Sequence, residues 1–301
     1  MPRATTFVEG ESAMARTSPT VAGWELMLRI REQSKAVGVK ATAIQKALDI
    51  SAAYWSQVAN YRGVFTDDKL RILMDLLEFE PDEQAELLEL RAVARQRGWW
   101  TEYSALFDTD QTRFYGLEDG AQRIRSVEGG VIPGLLQTED YIRGLMSSVV
   151  YTARPTEVHQ RVRARLRRQA RLSGAHALQL SVIIGQAALM QEVGGPAVQQ
   201  NQLRHLIELA GKHADNLEIR VVPFNARGSI AGLNAATYHL LDFDSARLPP
   251  LGWIETAIYG EVIDDPKKVE ALDYLFSQLQ TIALGPEDSL SLIDDIASRI
   301  G

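Results

Sequence analysis

The sequence predicts two architectures in tandem, an all-α module of five helices followed by an α+β domain. Three observations carry this. From Gly23 to Arg97, apolar residues recur at helical spacing between capping residues and stop signals. Beyond Gly98, helical patterns alternate with short runs rich in Val, Ile, Leu, Thr and Tyr, bounded by Gly, Asn, Asp and Pro. Charge is also uneven. Residues 14–63 hold seven Lys/Arg against three Asp/Glu, and residues 64–98 hold five against nine, in a chain of net charge −7. The expected boundaries are a flexible tail over 1–20, in which Met14 offers a second start, a helical module over 21–98 and an α+β domain over 99–301.

The first helix, "WELMLRIREQSKAVG", places Leu26, Ile30 and Val37 on one face and stops at Gly38. "KATAIQKALDI" sets Ile44 and Leu48 four apart, and "SAAYWSQVANYRG" opens on Ser51, a favourable N-cap. "TDDKLRILMDLLEF" begins with Thr66 and two acids, which suit the positive end of a helix dipole. "PDEQAELLELRAVARQRG" has Pro81 in its first turn and Gly98 at its end. After the aromatic junction "RGWWTEYSALF", helices are expected over "TRFYGLEDGAQRIRSVE" and "TEDYIRGLMSSVV", on either side of the loop "GGVIPGLLQ". There Pro133 and Gly134 make a turn and Thr138 caps the next helix. "RPTEVHQRVRARLRRQARL" is a basic amphipathic helix with the stripe Val158, Val162, Leu166 and Ala170. Strands are expected at "LQLSVIIG", "LEIRVVPF", "AATYHLLDF" and "GWIETAIYGEVI", with helices at "PAVQQNQLRHLIELAGK", "DPKKVEALDYLFSQLQTIAL" and "PEDSLSLIDDIASRI".

Composition narrows the function. Hydrophobic content of 46% and charged content of 24% are those of a globular protein. The absence of cysteine excludes disulfides, thiolate metal sites and a Cys nucleophile. No apolar run approaches the ~18 residues of a membrane span, and the N-terminus has no secretory h-region, so a cytoplasmic protein without membrane contact is expected. His205 and His213 lack the spacing of a helical zinc pair, and no nucleophile elbow or phosphate-binding loop occurs. "GSIAG" at 228–232 is Gly-rich without phosphate-loop spacing and reads as a turn. Neither catalytic activity, metal nor cofactor is therefore expected.

The stretch "IQKALDISAAYWSQVAN" reads as helix, tight turn and helix. It resembles the helix-turn-helix of the Xre/phage-repressor family. Ile44 and Leu48 fall on that family's core positions, Asp49 on the turn glycine, and Trp55 and Val58 on the two buried positions of the recognition helix. It departs at Gln45, Asp49, Trp55 and Tyr61, each bulkier or more polar than the family's residue. The resemblance implies that Ser51 caps a helix whose Ala52, Ala53, Tyr54, Ser56 and Gln57 face a major groove. Gln57 is the side chain suited to an adenine edge, and the alanines suit thymine methyls. Lys40, Thr42, Asn60 and Arg62 flank that helix as phosphate contacts.

Downstream, "RGWW", "YGLEDGAQRIR", "VIPGLLQTEDY", "VHQRVRARLRRQARL", "GGPAVQQNQLRHLIEL", "IRVVPF" and "EALDYLFSQLQTIALGPEDSLSLI" follow in order. Together they resemble the actinobacterial Xre-type regulators with a conserved domain of unknown function behind the helix-turn-helix, the WhiJ-like, antitoxin-like group. That resemblance implies a homodimer on double-stranded DNA and a very small protein partner encoded nearby. An acidic partner would suit Arg161, Arg163, Arg167 and Arg168 of the basic helix. Two readings remain open at this point. One is a DNA-binding transcription regulator whose α+β domain receives a ligand or small-protein signal. The other is an antitoxin-like module acting through its partner, with weak or no DNA reading.

Overall fold

The computed structural model describes residues 17–148, 154–227, 237–256 and 259–300. The expected tail up to residue 16 and the turn at 228–232 lie outside the described residues. Among those described, five helices open the chain: α1 (Pro19–Ala36), α2 (Ala41–Ala47), α3 (Ala52–Ala59), α4 (Asp67–Leu76) and α5 (Pro81–Ala94). Their inward residues, including Leu26, Ile30, Ile44, Leu48, Val58, Phe65 and Leu73, form one core.

Four of these helices end the same way. The residue after each C-cap adopts positive φ, at Gly38 (74°), Asp49 (48°), Tyr61 (60°) and Glu78 (55°). Each then places paired backbone bonds across the helix end. After α3, the Tyr61 N–H donates to the Val58 carbonyl at 3.0 Å and the Arg62 N–H to Gln57 at 2.8 Å. This is the Schellman arrangement, which satisfies the last carbonyls and usually employs glycine. Gly38 alone among the four does so here.

The C-terminal part is a mixed sheet over helices. Its chain order is α6 (Thr109–Gly120), β1 (Arg123–Glu128), α7 (Glu139–Met146), α8 (Pro155–Arg168), β2 (Gln179–Gly185), α9 (Gln186–Met190), α10 (Pro196–Lys212), β3 (Leu217–Val222), β4 (Thr237–Asp242), β5 (Leu251–Glu255), β6 (Gly260–Ile263), α11 (Pro266–Ile282) and α12 (Pro286–Arg299). The described strands form one six-stranded sheet of order β3-β2-β1-β4-β5-β6. β1, β2 and β3 run parallel, and β4, β5 and β6 continue antiparallel. One face, with Ile124, Val182, Ile219 and Trp253, packs under α6, α10 and α12. The other, with Val127, Ile183 and Leu240, packs under α11 through Val269, Phe276 and Leu279. The outer edge of β3 is stoppered, since its Val221 N–H donates to Ser289 Oγ at 3.0 Å and its carbonyl accepts from Leu284 at 2.9 Å.

Three expectations need correction. "TRFYGLEDGAQRIRSVE" is not one helix. It breaks at Gly120, and Arg123–Glu128 becomes a central strand. Its alternation was disguised because Arg123 and Arg125 are charged yet face a sheet surface, where Asp242 and Asp273 neutralise them. "GWIETAIYGEVI" is two strands, β5 and β6, closed by a bond from the Thr256 N–H to the Tyr259 carbonyl. Gly98 does not end α5, which stops at Ala94. It precedes a 3-10 turn over Trp99–Tyr103, and a Cβ there would lie 2.2 Å from the Trp100 ring.

The two parts share α1. Its Val21 and Trp24 belong to the core under the sheet, while Leu26, Met27 and Ile30 belong to the helical core. It starts at Pro19, earlier than the sequence suggested, with Ser18 as N-cap donating its hydroxyl to the Gly116 carbonyl at 2.5 Å. Gly116 and Gly120, one turn apart on α6, let the helices touch. A Cβ at Gly116 would fall 1.9 Å from Thr20 Oγ1, and one at Gly120 would fall 2.6 Å from Val21.

Candidate nucleic-acid interface

α2 and α3 are joined by a turn at Leu48–Ser51. Ser51 Oγ accepts from the Tyr54 N–H at 3.1 Å, the expected N-cap bond. On the inner side the Ile50 N–H donates to Gln45 at 3.0 Å, and Lys69 Nζ holds the Leu48 carbonyl at 2.6 Å. Val58 is buried, and Trp55 leans on Phe65 with ring centroids 6.3 Å apart. These contacts fix which side of α3 faces outward.

Of the candidate residues, Lys40, Thr42, Ser51, Ala52, Ala53, Ser56, Gln57, Asn60 and Arg62 are exposed, as the spacing anticipated. Tyr54 is different. It is half-buried, with its ring 6.3 Å from Phe65, so it belongs partly to the core. Asn60 is exposed but engaged, because Nδ2 donates to the Ser56 carbonyl at 2.8 Å and to Ser56 Oγ at 3.2 Å. Gln57 makes no side-chain hydrogen bond among the described residues, which leaves its amide open outward. The exposed residues of α3 carry no charge, and the exposed Lys40, Lys46, Asp49 and Arg62 stand in the segments that flank it in sequence.

Tyr61 lies behind this surface, and its setting was not legible in the sequence. Its ring has the Arg31 guanidinium at 5.2 Å and the Arg113 guanidinium at 4.9 Å. Arg31 Nη1 also donates to the Tyr61 hydroxyl at 2.9 Å, and Arg31 Nη2 to the Ala59 carbonyl. Arg31 lies on α1 and Arg113 on α6, so the turn that closes α3 is held by both parts of the molecule. Tyr61 accordingly packs against both cores. Burial lowers the Arg113 pKa, while the Tyr61 and Asp264 fields oppose that. Two guanidinium groups flanking one ring is a costly arrangement unless each is otherwise balanced.

A positive φ costs a Cβ-bearing residue about 1 kcal/mol, so glycine and alanine at position 61 separate backbone strain from ring contacts. Tyr61→Ala and Tyr61→Gly both lose the ring and both should unfold at lower denaturant. The glycine variant should be the more stable of the two by about 1 kcal/mol. An alanine variant equal to or above the glycine variant in urea melts would contradict the left-handed turn.

The basic helix α8 is only partly a surface. Arg163 is exposed. Arg167 is also exposed but is tied to Glu102 at 3.1 Å and stacked over Trp99 at 5.4 Å. Arg161 is half-buried, donates to the Leu106 carbonyl at 2.6 Å and lies over Phe107. Arg168 is withdrawn from any partner. It is buried, and Nε and Nη2 each meet Glu118 at 2.7 Å beneath Tyr115 and Phe114. Arg168 lies off the apolar stripe, in which Val158, Val162 and Leu166 pack on Ile142 and Met146 of α7, and shares instead the face of the buried Ala164, turned toward Glu118 of α6. Of the proposed docking arginines, Arg163 and Arg167 therefore keep an outward position.

The "VIPGLLQTEDY" segment is an internal clamp. Thr138 Oγ1 caps α7 at Tyr141 N, 3.2 Å away, and the Tyr141 hydroxyl accepts from Ile132 N at 3.2 Å. Gln137 Nε2 donates to the Ile132 carbonyl at 2.6 Å, while its Oε1 takes a bond from Arg165 at 3.0 Å. Gln202 on α10 bonds both the Thr138 N–H and the Leu136 carbonyl. Its side chains are spent on holding α7, α8 and α10 together.

No described helix is long and apolar enough to cross a membrane. No curated protein and no solved structure matches the chain. A family model, described as a domain of unknown function (DUF5753), matches residues 111–295, from within α6 to within α12, and leaves α1–α5 outside it. The chain belongs to the DUF5753 family.

Proposed function

We propose that this protein is a DNA-binding transcription regulator, working as a dimer, in which α3 enters the major groove and the DUF5753 domain receives a ligand or small-protein signal. The observation that carries the reading is the outward face of α3. Ala52, Ala53, Ser56 and Gln57 are exposed on a capped helix, set against α2 by a turn at positive φ and bordered by Lys40 and Arg62. The flatness of Ala52 and Ala53 suits close approach to base edges, and Gln57 supplies a donor and an acceptor for adenine. Asp49 and Tyr61, which stand where the Xre/phage-repressor motif that this stretch resembles has glycine, both adopt positive φ, which supports a kept turn over a decayed motif. The antitoxin-like alternative draws on the exposed arginines of α8, and Arg163 and Arg167 are the pair to reverse in testing it.

The test is a gel shift with DNA from the protein's own promoter region against random DNA, repeated across salt. Specific binding should weaken steeply with salt because phosphate contacts release counterions. Gln57→Ala should reduce discrimination between the two DNAs by about 1–3 kcal/mol while leaving the melting curve unchanged. Equal retention of both DNAs by the parent and the Gln57→Ala chain would remove α3 as the reading helix.

A further inference from the structure

A cleft of about 430 Å3 opens beside the amino-terminal end of β1. That is within the volume range of small-molecule sites. Arg123 and Arg125, two apart on β1, point from one sheet face into it. Asp264, between β6 and α11, and Glu270 and Asp273 on α11 line it too, and Pro249 and Pro250 contribute apolar surface.

The charges in this cleft are unequally committed. Arg125 pairs with Asp273 and, at 3.4 Å, with Asp242. Arg123 meets Asp242 through Nε at 3.3 Å and is 57% exposed, so its outer nitrogens face the opening. Asp264 and Glu270 take part in no salt bridge found among the described residues. The α11 N-terminus is already occupied, because Asp265 Oδ1 accepts from Lys267 N at 2.9 Å and Lys268 N at 3.1 Å. What remains to be met, besides the buried Arg125 Nε, is the outer edge of Arg123 and two carboxylates beside a proline surface.

We propose that this cleft binds a small basic amino acid, with its carboxylate on Arg123 and its ammonium groups on Asp264 and Glu270. A simple anion would face the two carboxylates, and a simple diamine would leave Arg123 unmet, so a molecule carrying both signs with an excess of positive charge fits the lining best. The site names an effector class for the regulator proposed above and rests on that reading for its role, though not for binding itself. A route to α3 exists. α6 packs against β6, which ends just before Asp264, and Arg113 of α6 lies over the Tyr61 ring at 4.9 Å. An ammonium group neutralising Asp264 alters the field at Arg113, which grips the turn closing α3.

The experiment is calorimetric titration of the full chain with L-lysine and L-arginine, with L-glutamate and putrescine as controls. Saturable binding of a basic amino acid at one site per chain, and none of glutamate, is expected. Arg123→Gln, and Asp264→Asn with Glu270→Gln together, should each weaken it about tenfold or more with unchanged melting curves. No binding of either basic amino acid up to roughly 10 mM overturns the site. So does equal affinity for putrescine, or equal affinity in folded variants. The same samples in the promoter gel shift keep the two readings apart. Lysine binding without any DNA shift sinks the regulator and leaves the site standing, and a DNA shift without amino-acid binding does the reverse.

Discussion

Replacing Arg168 by alanine is expected to lower the unfolding free energy by about 3–5 kcal/mol, read as the shift of a urea transition. The cause is Glu118, left behind in the core. Both side chains are almost wholly buried, at 8% and 3% exposure, and are joined by two 2.7 Å bonds under Tyr115 and Phe114. Removing one partner strands a charge in a medium that solvates it poorly. Removing both with residues of similar shape should be far milder. Glu118→Leu with Arg168→Met is expected to recover most of the loss. If the double variant were no more stable than Arg168→Ala, the cost would lie in packing rather than in the stranded carboxylate. The same experiment bears on α8, since it distinguishes a structural arginine from one kept for a partner.

The second large effect concerns pH. Glu128, at the end of β1, is buried and accepts from Thr237 Oγ1 at 2.7 Å. Burial pushes its carboxyl from 4.5 up to about 8, only partly opposed by the Thr237 bond. His239, also on the α6 side of the sheet, is pulled from 6.5 down to about 3, first by burial and then by Arg168. For Glu128 the folded pKa is raised, so its contribution is complete below 4.5 and is lost as pH rises toward 8. For His239 the folded pKa is depressed, so its contribution is present above 6.5 and is lost as pH falls toward 3. Between 4.5 and 6.5 the two slopes oppose one another, and these groups leave stability nearly flat. From 6.5 to 8 only Glu128 acts, and stability should fall by up to about 1.4 kcal/mol per pH unit. Glu128→Gln keeps the shape and the Thr237 bond but cannot ionise. It should abolish that fall and melt higher than the parent at pH 8. A parent whose stability holds level from pH 6.5 to 8 would show that Glu128 is ionised in the fold.

How much of this was legible in the letters varies by element. α3 was legible because everything that makes it is local: Ser51 as cap, Val58 and Trp55 at helical spacing, and an outward set that follows by subtraction. The Thr138 cap, the helices begun by Pro81, Pro155, Pro196, Pro266 and Pro286, and strands β2 and β3 were legible for the same reason. β1 was not. It reads as a continuation of the preceding helix because its charged residues obscure the period of two, and their neutralising partners Asp242 and Asp273 come from distant parts of the chain. Of the candidate DNA-facing residues, Tyr54 is half-buried, and its spacing did not show this because the neighbour it leans on, Phe65, lies past the next turn. The α8 arginines look alike in sequence. Only the position of Glu118 makes Arg168 a core residue and leaves Arg163 outside.

The division has one physical origin. Caps, turns and hydrophobic period act over a few residues, and they set where the helices of this chain begin, which faces are apolar and which side of α3 is left outward. Desolvation and charge pairing act through space, between groups that the chain brings together only on folding. They decided that Tyr61 would join two guanidinium groups from different helices, that Arg168 would be buried, and that Glu128 would sit in a site that favours its proton.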